Sequence, residues 1–102
     1  MIDAPSASAS RGAFTATEAG WRFAGALTLD DAAQVLAATR TMPLPENGHV
    51  DFAWLAQADS SALAVIIALK RRGASEGRAL SVTGLPDSLR SLAVVYGVDD
   101  LV

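Results

Sequence analysis

The stretch from Val50 to Gly73, VDFAWLAQADSSALAVIIALKRRG, constrains the fold more than any other part of the sequence. It predicts a short strand, a loop that ends in Asp59, Ser60 and Ser61, and an apolar helix that ends near Arg72. Backbone N–H groups at a helix start lack partners inside the helix, and the helix dipole is positive there. The two serines therefore predict a helix cap, a phosphate acceptor or a polar contact with a partner.

Composition limits what such a chain can do. Of its 102 residues, 51% are hydrophobic and 19% are charged, which suits one folded domain with a core. The net charge of −3 argues against nucleic acid as a partner, because surfaces that bind nucleic acid are basic. The chain has no cysteine, which excludes disulfides and cysteine-ligated metals. The small residues of 1–12 predict a mobile tail, and residues 13–102 predict a single domain.

Hydrophobic patterning predicts the element order β-β-α-β-α-β-α, an α/β fold. The predicted strands cover residues 13–18, 21–27, 49–54 and 79–83, and the predicted helices cover about 28–40, 61–72 and 86–96. The opening hairpin is antiparallel, whereas the strand–helix–strand unit from Val50 to Thr83 predicts two parallel strands. Together these connections predict a mixed sheet of about four strands, with helices mainly on one face.

Particular side chains carry further expectations. Trp54 and Tyr96 are expected in the core, and Gly73 is expected directly after the end of its helix. The basic run that precedes Gly73 is expected to balance the negative end of that helix. One apolar face of the first helix is expected to be buried, namely Leu29, Ala32, Ala33, Leu36 and Ala37.

Groups suited to catalysis are sparse. His49 is the only histidine, and Asp51 and Asp59 are the only acids in the central motif. No phosphate-binding glycine loop, nucleophile–base set or metal-ligand spacing accompanies them, so we expect no catalysis, no metal and no cofactor. Asp51 is expected to hold backbone in place, and Asp59 is expected to order the loop or to contact a partner.

These motifs resemble those of the STAS domain family. Val50-Asp51-Phe52 followed by Asp59-Ser60-Ser61-Ala62-Leu63 is similar to the family pattern of an apolar-Asp-apolar strand and a helix that opens Asp-Ser/Thr-small-Gly-Leu. Supporting matches lie in Leu80-Ser81-Val82-Thr83-Gly84 and in the last helix, with Leu89, Leu92 and Tyr96-Gly97-Val98. The resemblance covers about residues 13–102 and implies the STAS (SpoIIAA-like) fold.

Within the family the chain is most similar to the MlaB-like branch, through its compact form and Val95-Tyr96-Gly97-Val98. That branch consists of STAS subunits of ABC transporters that move phospholipids and maintain outer-membrane lipid asymmetry. The resemblance implies a non-enzymatic protein that binds and regulates the ABC transporter ATPase subunit (MlaF-like). It also implies a cytoplasmic location, peripheral at the inner membrane through that complex. The implied partner-binding residues are Asp59, Ser60, Ser61 and Leu63, with Ser60 at the position of the branch's important hydroxyl.

The resemblance also implies an alternative, an anti-sigma-factor antagonist whose partner is a serine-kinase anti-sigma factor. Ser61 occupies the position that such antagonists phosphorylate, and Ser60 is the second candidate for modification. Phosphate there would meet the carboxylate of Asp59 and could switch binding by repulsion. Ala62 replaces the family's glycine, and its methyl group is expected to hinder a kinase that approaches the backbone closely. A third alternative is a module that binds lipid or a small anion.

Overall fold

The element order of the protein, seen in a computed structural model that describes residues 12–102, is the one that the patterning predicts. The predicted tail of residues 1–12 lies outside the described residues, apart from Gly12. The strands are β1 (Ala13–Thr17), β2 (Gly20–Leu27), β3 (His49–Ala58) and β4 (Ser81–Thr83). The helices are α1 (Leu29–Thr39), α2 (Ser60–Ser75) and α3 (Asp87–Val95).

The four strands form one mixed sheet in the order β1-β2-β3-β4. β1 and β2 form the antiparallel hairpin, and β3 and β4 are parallel, as the sequence predicts. β2 and β3 are also parallel, because α1 connects them by a second crossover. The sequence therefore predicted the fold class and the mixed sheet correctly, and the observed architecture is that of a STAS fold.

The core lies on the face of the sheet that the helices cover. Trp21 and Phe23 of β2 and Phe52 of β3 are fully buried, whereas Arg22, which alternates with them, is exposed. The rings of Phe23 and Phe52 are tilted by 31° with centroids 5.8 Å apart, and the half-buried Phe14 of β1 packs edge-on against both. Alternation along the strands thus divides the sheet into a buried apolar face and an open face.

β3 is longer than predicted and irregular. It continues to Ala58, so the expected loop before Asp59 is strand. Its pairing with β2 shifts register twice, once between Arg22 and Ala24 and once further along. The first shift resets the alternation of side chains, so that Trp54 pairs with Ala24 on the open face and is 62% exposed. The expectation that Trp54 packs in the core was therefore wrong.

α1 buries only part of the predicted face, since Ala32 and Leu36 are half-buried and pack against the core. Val35 and Thr39 are its buried residues, whereas Leu29 is 76% exposed. Ala33 and Ala37 are exposed as well. Alanines bury little apolar area, so the larger Val35 and Leu36 contribute most of the apolar contact between α1 and the core. Thr39 tolerates burial because its hydroxyl donates to the carbonyl of Leu36 at 2.6 Å.

The C-terminal part of α2 also differs from the prediction. Gly73 lies inside the helix and is buried, and the helix continues to Ser75. A Cβ at Gly73 would lie 2.5 Å from the carbonyl oxygen of Arg78, which explains why glycine occupies this helical position. Gly77, with φ of +73°, adopts the left-handed conformation that was expected of Gly73.

Arg72 lies in the last turn of its own helix, as predicted, and also binds the end of a neighbouring helix. Its guanidinium donates to the carbonyl of Thr39, the last residue of α1, at 2.8 Å and to the carbonyl of Met42, in the loop that follows, at 2.7 Å. It also forms an ion pair with Glu76 at 2.8 Å. Of the basic run, Arg71 is exposed and Lys70 is half-buried.

The C-terminal segment ends α3 and returns to the core. Gly97, with φ of +72°, stops the helix as predicted, and the N–H of Val98 donates to the carbonyl of Ala93 at 2.8 Å. Val98 and Val102 then pack against the core. Tyr96 is mostly exposed, contrary to the prediction, because the buried side of α3 is formed by Leu89 and Ala93. None of the helices in residues 12–102 has the length and apolar character needed to cross a membrane.

Candidate functional site

Two helices begin side by side at one edge of the sheet. β2 and β3 are parallel, and Leu27 at the end of β2 pairs with Ala58 at the end of β3. Each strand is followed within two residues by a helix, α1 from Leu29 and α2 from Ser60. The carboxyl edge of a parallel pair is where α/β proteins commonly place binding groups. The predicted site therefore lies between two helix N-termini rather than at one.

Asp59 connects the two helices. One carboxylate oxygen accepts the N–H of Ser61 at 2.8 Å, and the other accepts the N–H of Leu29 at 3.0 Å. These interactions, led by the N–H of Leu29, hold the pKa of Asp59 below its ordinary value although burial opposes them. Asp59 is thus the N-cap of α2, and it also takes the place of a side-chain cap at α1, where Thr28 makes none.

The helix cap was expected of a serine, and this expectation was wrong. Asp59 precedes the first helical residue, so its side chain is the one that reaches the free N–H groups. A carboxylate with two oxygens can satisfy both helices and carries the negative charge that both dipoles favour. The hydroxyl of Ser60 is consequently not needed to cap α2.

The remaining predicted site residues divide between surface and interior. Ser60 is exposed as the first residue of α2, and Ser61 is half-buried beside Asp59. Leu63, expected in the partner-binding surface, is only 3% exposed and belongs to the core. The structure therefore brings Asp59, Ser60 and Ser61 together at the surface, with Leu63 as packing beneath them.

Ala62, the departure from the family pattern, has no exposed surface. Its methyl group points into the protein and packs in the core cluster. A partner or kinase that approaches Ser61 from solvent would not meet it. The expectation that the methyl group of Ala62 hinders a kinase at Ser61 was therefore wrong.

Sequence reasoning missed the contribution of α1 to this edge. Leu29 presents an exposed side chain while its N–H is bound to Asp59. The signal was available in the element order, because a second strand–helix–strand unit runs from β2 through α1 to β3. Two parallel crossovers in one sheet place both helix starts at the same edge.

The other polar candidates lie elsewhere in the sheet and are bound within it. Asp51 accepts the N–H of Ala53 at 2.8 Å, which is the backbone role expected of it. His49 shares a hydrogen bond of 3.1 Å with the hydroxyl of Thr83. Among residues 12–102, no group of three or more histidine or acidic side chains could hold a metal ion. The site at Asp59 is a polar surface in which Ser60 is exposed and Asp59 and Ser61 are half-buried.

A protein-family model described as "Mlab, STAS domain" matches residues 13–102. The chain therefore belongs to the STAS domain family. The matching model is the MlaB-type model of that family, in agreement with the resemblance carried by the motifs. STAS domains generally act as binding or regulatory domains that mediate protein–protein interactions. Comparison with curated proteins finds no sequence that matches this chain.

Proposed function

We propose that this protein is the STAS subunit of an ABC phospholipid transporter and that it binds and regulates the ATPase subunit. The observation that carries the proposal is the exposed hydroxyl of Ser60 at the start of α2, in a chain that matches the MlaB-type family model. The protein acts without chemistry of its own, in the cytoplasm at the inner membrane, and supports the maintenance of outer-membrane lipid asymmetry.

The geometry around Ser60 suits a contact between two preformed surfaces. Asp59 fixes both helix starts through its two hydrogen bonds, so little conformational freedom is left to lose on binding. The hydroxyl of Ser60 can donate to and accept from a partner. A subunit that prefers one conformation of the ATPase raises the population of that conformation. Regulation then follows from binding alone.

The test is co-expression with the ATPase subunit of the phospholipid ABC transporter from the same genome, followed by affinity and ATPase-rate measurements. Ser60→Glu puts a bulky charge at the centre of the proposed contact, and we expect roughly tenfold or greater weakening. Ser91→Glu, at an exposed serine of α3, is the matched control and should bind as the wild type does. Both variants should keep the wild-type unfolding midpoint. Normal binding by Ser60→Glu would contradict the proposal.

The alternative, an anti-sigma-factor antagonist, is favoured by the surroundings of Ser61. The carboxylate of Asp59 lies 2.8 Å from the backbone nitrogen of Ser61, and the buried methyl of Ala62 leaves the approach open. A phosphoryl group on Ser61 would repel that carboxylate and alter the surface that a partner meets. Purification from the native cells with mass spectrometry of Ser60 and Ser61 separates the two functions. Phosphate on Ser61 together with a co-purified serine-kinase anti-sigma factor would replace the transporter proposal.

A further inference from the structure

Leu29 is an exposed apolar side chain that the fold does not use. It is 76% exposed at the first position of α1. Its bond to Asp59 is made by the backbone N–H, which any residue except proline would supply. The side chain is therefore free of a structural role while the backbone holds it in a fixed place. Interface anchors are large side chains that a partner buries in a well-packed, desolvated pocket.

Leu29 is continuous with the proposed partner-binding surface. Asp59 accepts hydrogen bonds from Leu29 and from Ser61, so one carboxylate spans the two helices that carry Leu29 and Ser60. The two side chains thus belong to the same edge of the sheet. A partner that covers Ser60 meets Leu29 next to it.

The charges of the two segments that meet at Asp59 are all acidic. Asp30 is exposed, and Asp31 is half-buried with a carboxylate oxygen 3.3 Å from the hydroxyl of Thr28. Residues 28–31 and 59–63 contain three carboxylates and no lysine or arginine. A complementary partner surface would have to be basic where it faces Asp30.

We propose that Leu29 is the apolar anchor of the contact and that the ATPase subunit receives it in an apolar pocket bordered by lysine or arginine. This inference rests on the proposed function, since it names the chemistry of the same partner. Leu29 supplies affinity by losing its exposure to water, and Asp30 supplies orientation and speed of association.

The experiment compares two apolar residues of equal exposure on the isolated full chain with the purified ATPase subunit. Leu29→Ser should weaken binding roughly tenfold, whereas Val95→Ser, at a residue of α3 that is also 76% exposed, should leave it unchanged. Leu29→Met keeps an apolar side chain of similar volume and should restore binding. All three variants keep the backbone bond to Asp59, and urea unfolding should show the same midpoint for each.

Association kinetics test whether lysine or arginine residues border the pocket of the ATPase subunit. Asp30→Asn should slow association at low salt, and its difference from the wild type should vanish at high salt. Equal losses of affinity in Leu29→Ser and Val95→Ser would overturn the inference. A change in the association rate of Asp30→Asn that is independent of salt concentration would overturn it as well. Normal binding by Leu29→Ser while Ser60→Glu binds weakly would overturn it and leave the proposed function standing. Normal binding by both Leu29→Ser and Ser60→Glu would remove the proposed function as well.

Discussion

The two ends of α2 differ in whether their polar side chains are bound within the protein or exposed to solvent. At the C-terminal end, the guanidinium of Arg72 is bound to the carbonyls of Thr39 and Met42 and to Glu76. Gly73 lies against the carbonyl of Arg78 with no room for a side chain. At the N-terminal end, Asp59 satisfies the backbone and leaves the hydroxyl of Ser60 exposed. The polar side chains at the C-terminal end of α2 are bound within the protein. At the N-terminal end the backbone is held in place, and the hydroxyl of Ser60 is exposed to a binding partner.

This contrast separates residues that stabilise the protein from residues that can bind a partner. Substitutions of Arg72 and Gly73 at the C-terminal end should lower the free energy of unfolding and leave the affinity of the folded protein unchanged. Substitutions of exposed side chains at the N-terminal end should do the reverse. Asp59 belongs to both groups, because it caps two helices and lies within the proposed surface.

Loss of Arg72 should have the largest effect on stability. Arg72→Ala removes a mostly buried guanidinium, so the carbonyl of Met42 loses its side-chain donor and the carbonyl of Thr39 keeps the N–H of Met42 alone of its two donors. We expect the free energy of unfolding to fall by about 2–4 kcal/mol, since hydrogen bonds to charged groups are among the strongest. Urea unfolding of Arg72→Ala measures this effect. The exposed neighbour Arg71 is the control, and Arg71→Ala should change stability by less than about 0.5 kcal/mol.

Gly73→Ala should also destabilise, although alanine is the better helix former. The new Cβ would lie 2.5 Å from the carbonyl oxygen of Arg78, which is backbone and cannot rotate away. Overpacking of this kind costs about 1–3 kcal/mol and outweighs the gain in helix propensity of about 1 kcal/mol. Thermal and urea unfolding both report the change. A stabilised Gly73→Ala variant would mean that the packing between Gly73 and the carbonyl of Arg78 has room for a methyl group. The C-terminal end of α2 would then not be tightly packed.

Removal of the shared cap should have a moderate effect that depends on pH. Asp59→Ala leaves the N–H groups of Leu29 and Ser61 without their acceptor, and we expect a loss of roughly 1–2 kcal/mol at neutral pH. The pKa of Asp59 is lowered in the folded protein, so its stabilisation is present above the unfolded value near 3.8. It disappears as the pH falls through the folded pKa. Wild type and Asp59→Ala should therefore converge in stability in acid, and a difference that persists there would contradict the assigned role.

The order of the elements could be predicted because it depends on local signals. The hairpin, the apolar stretch of α2 and the stop at Gly97 each follow from residues close together in the chain. The grouping of Asp59, Ser60 and Ser61 could be predicted for the same reason, since they are adjacent residues at one helix start.

What could not be predicted depends on contacts between distant segments. Trp54 faces solvent because β3 shifts register against β2, and the sequence of β3 contains no local pattern that predicts this shift. Gly73 is helical because the carbonyl of Arg78 returns against it. Leu29 is exposed at the first position of α1, although Ala32 and Leu36 at helical spacing from it pack against the core. For Trp54 and Leu29 the residue type is apolar, but tertiary packing decides whether the side chain is buried.

Ser60→Ala should have the smallest effect on stability. It therefore best distinguishes a loss of affinity for the partner from a loss of stability. The cap of α2 belongs to Asp59, and the side chain of Ser60 is exposed, so we expect less than about 0.5 kcal/mol of change in the free energy of unfolding. Any loss of affinity for the ATPase subunit would then come from the missing hydroxyl alone. Unfolding and binding measured on the same preparation distinguish the two effects. A destabilisation as large as that of Asp59→Ala would show that Ser60 also serves the fold, and the two ends of α2 would then differ less than the structure indicates.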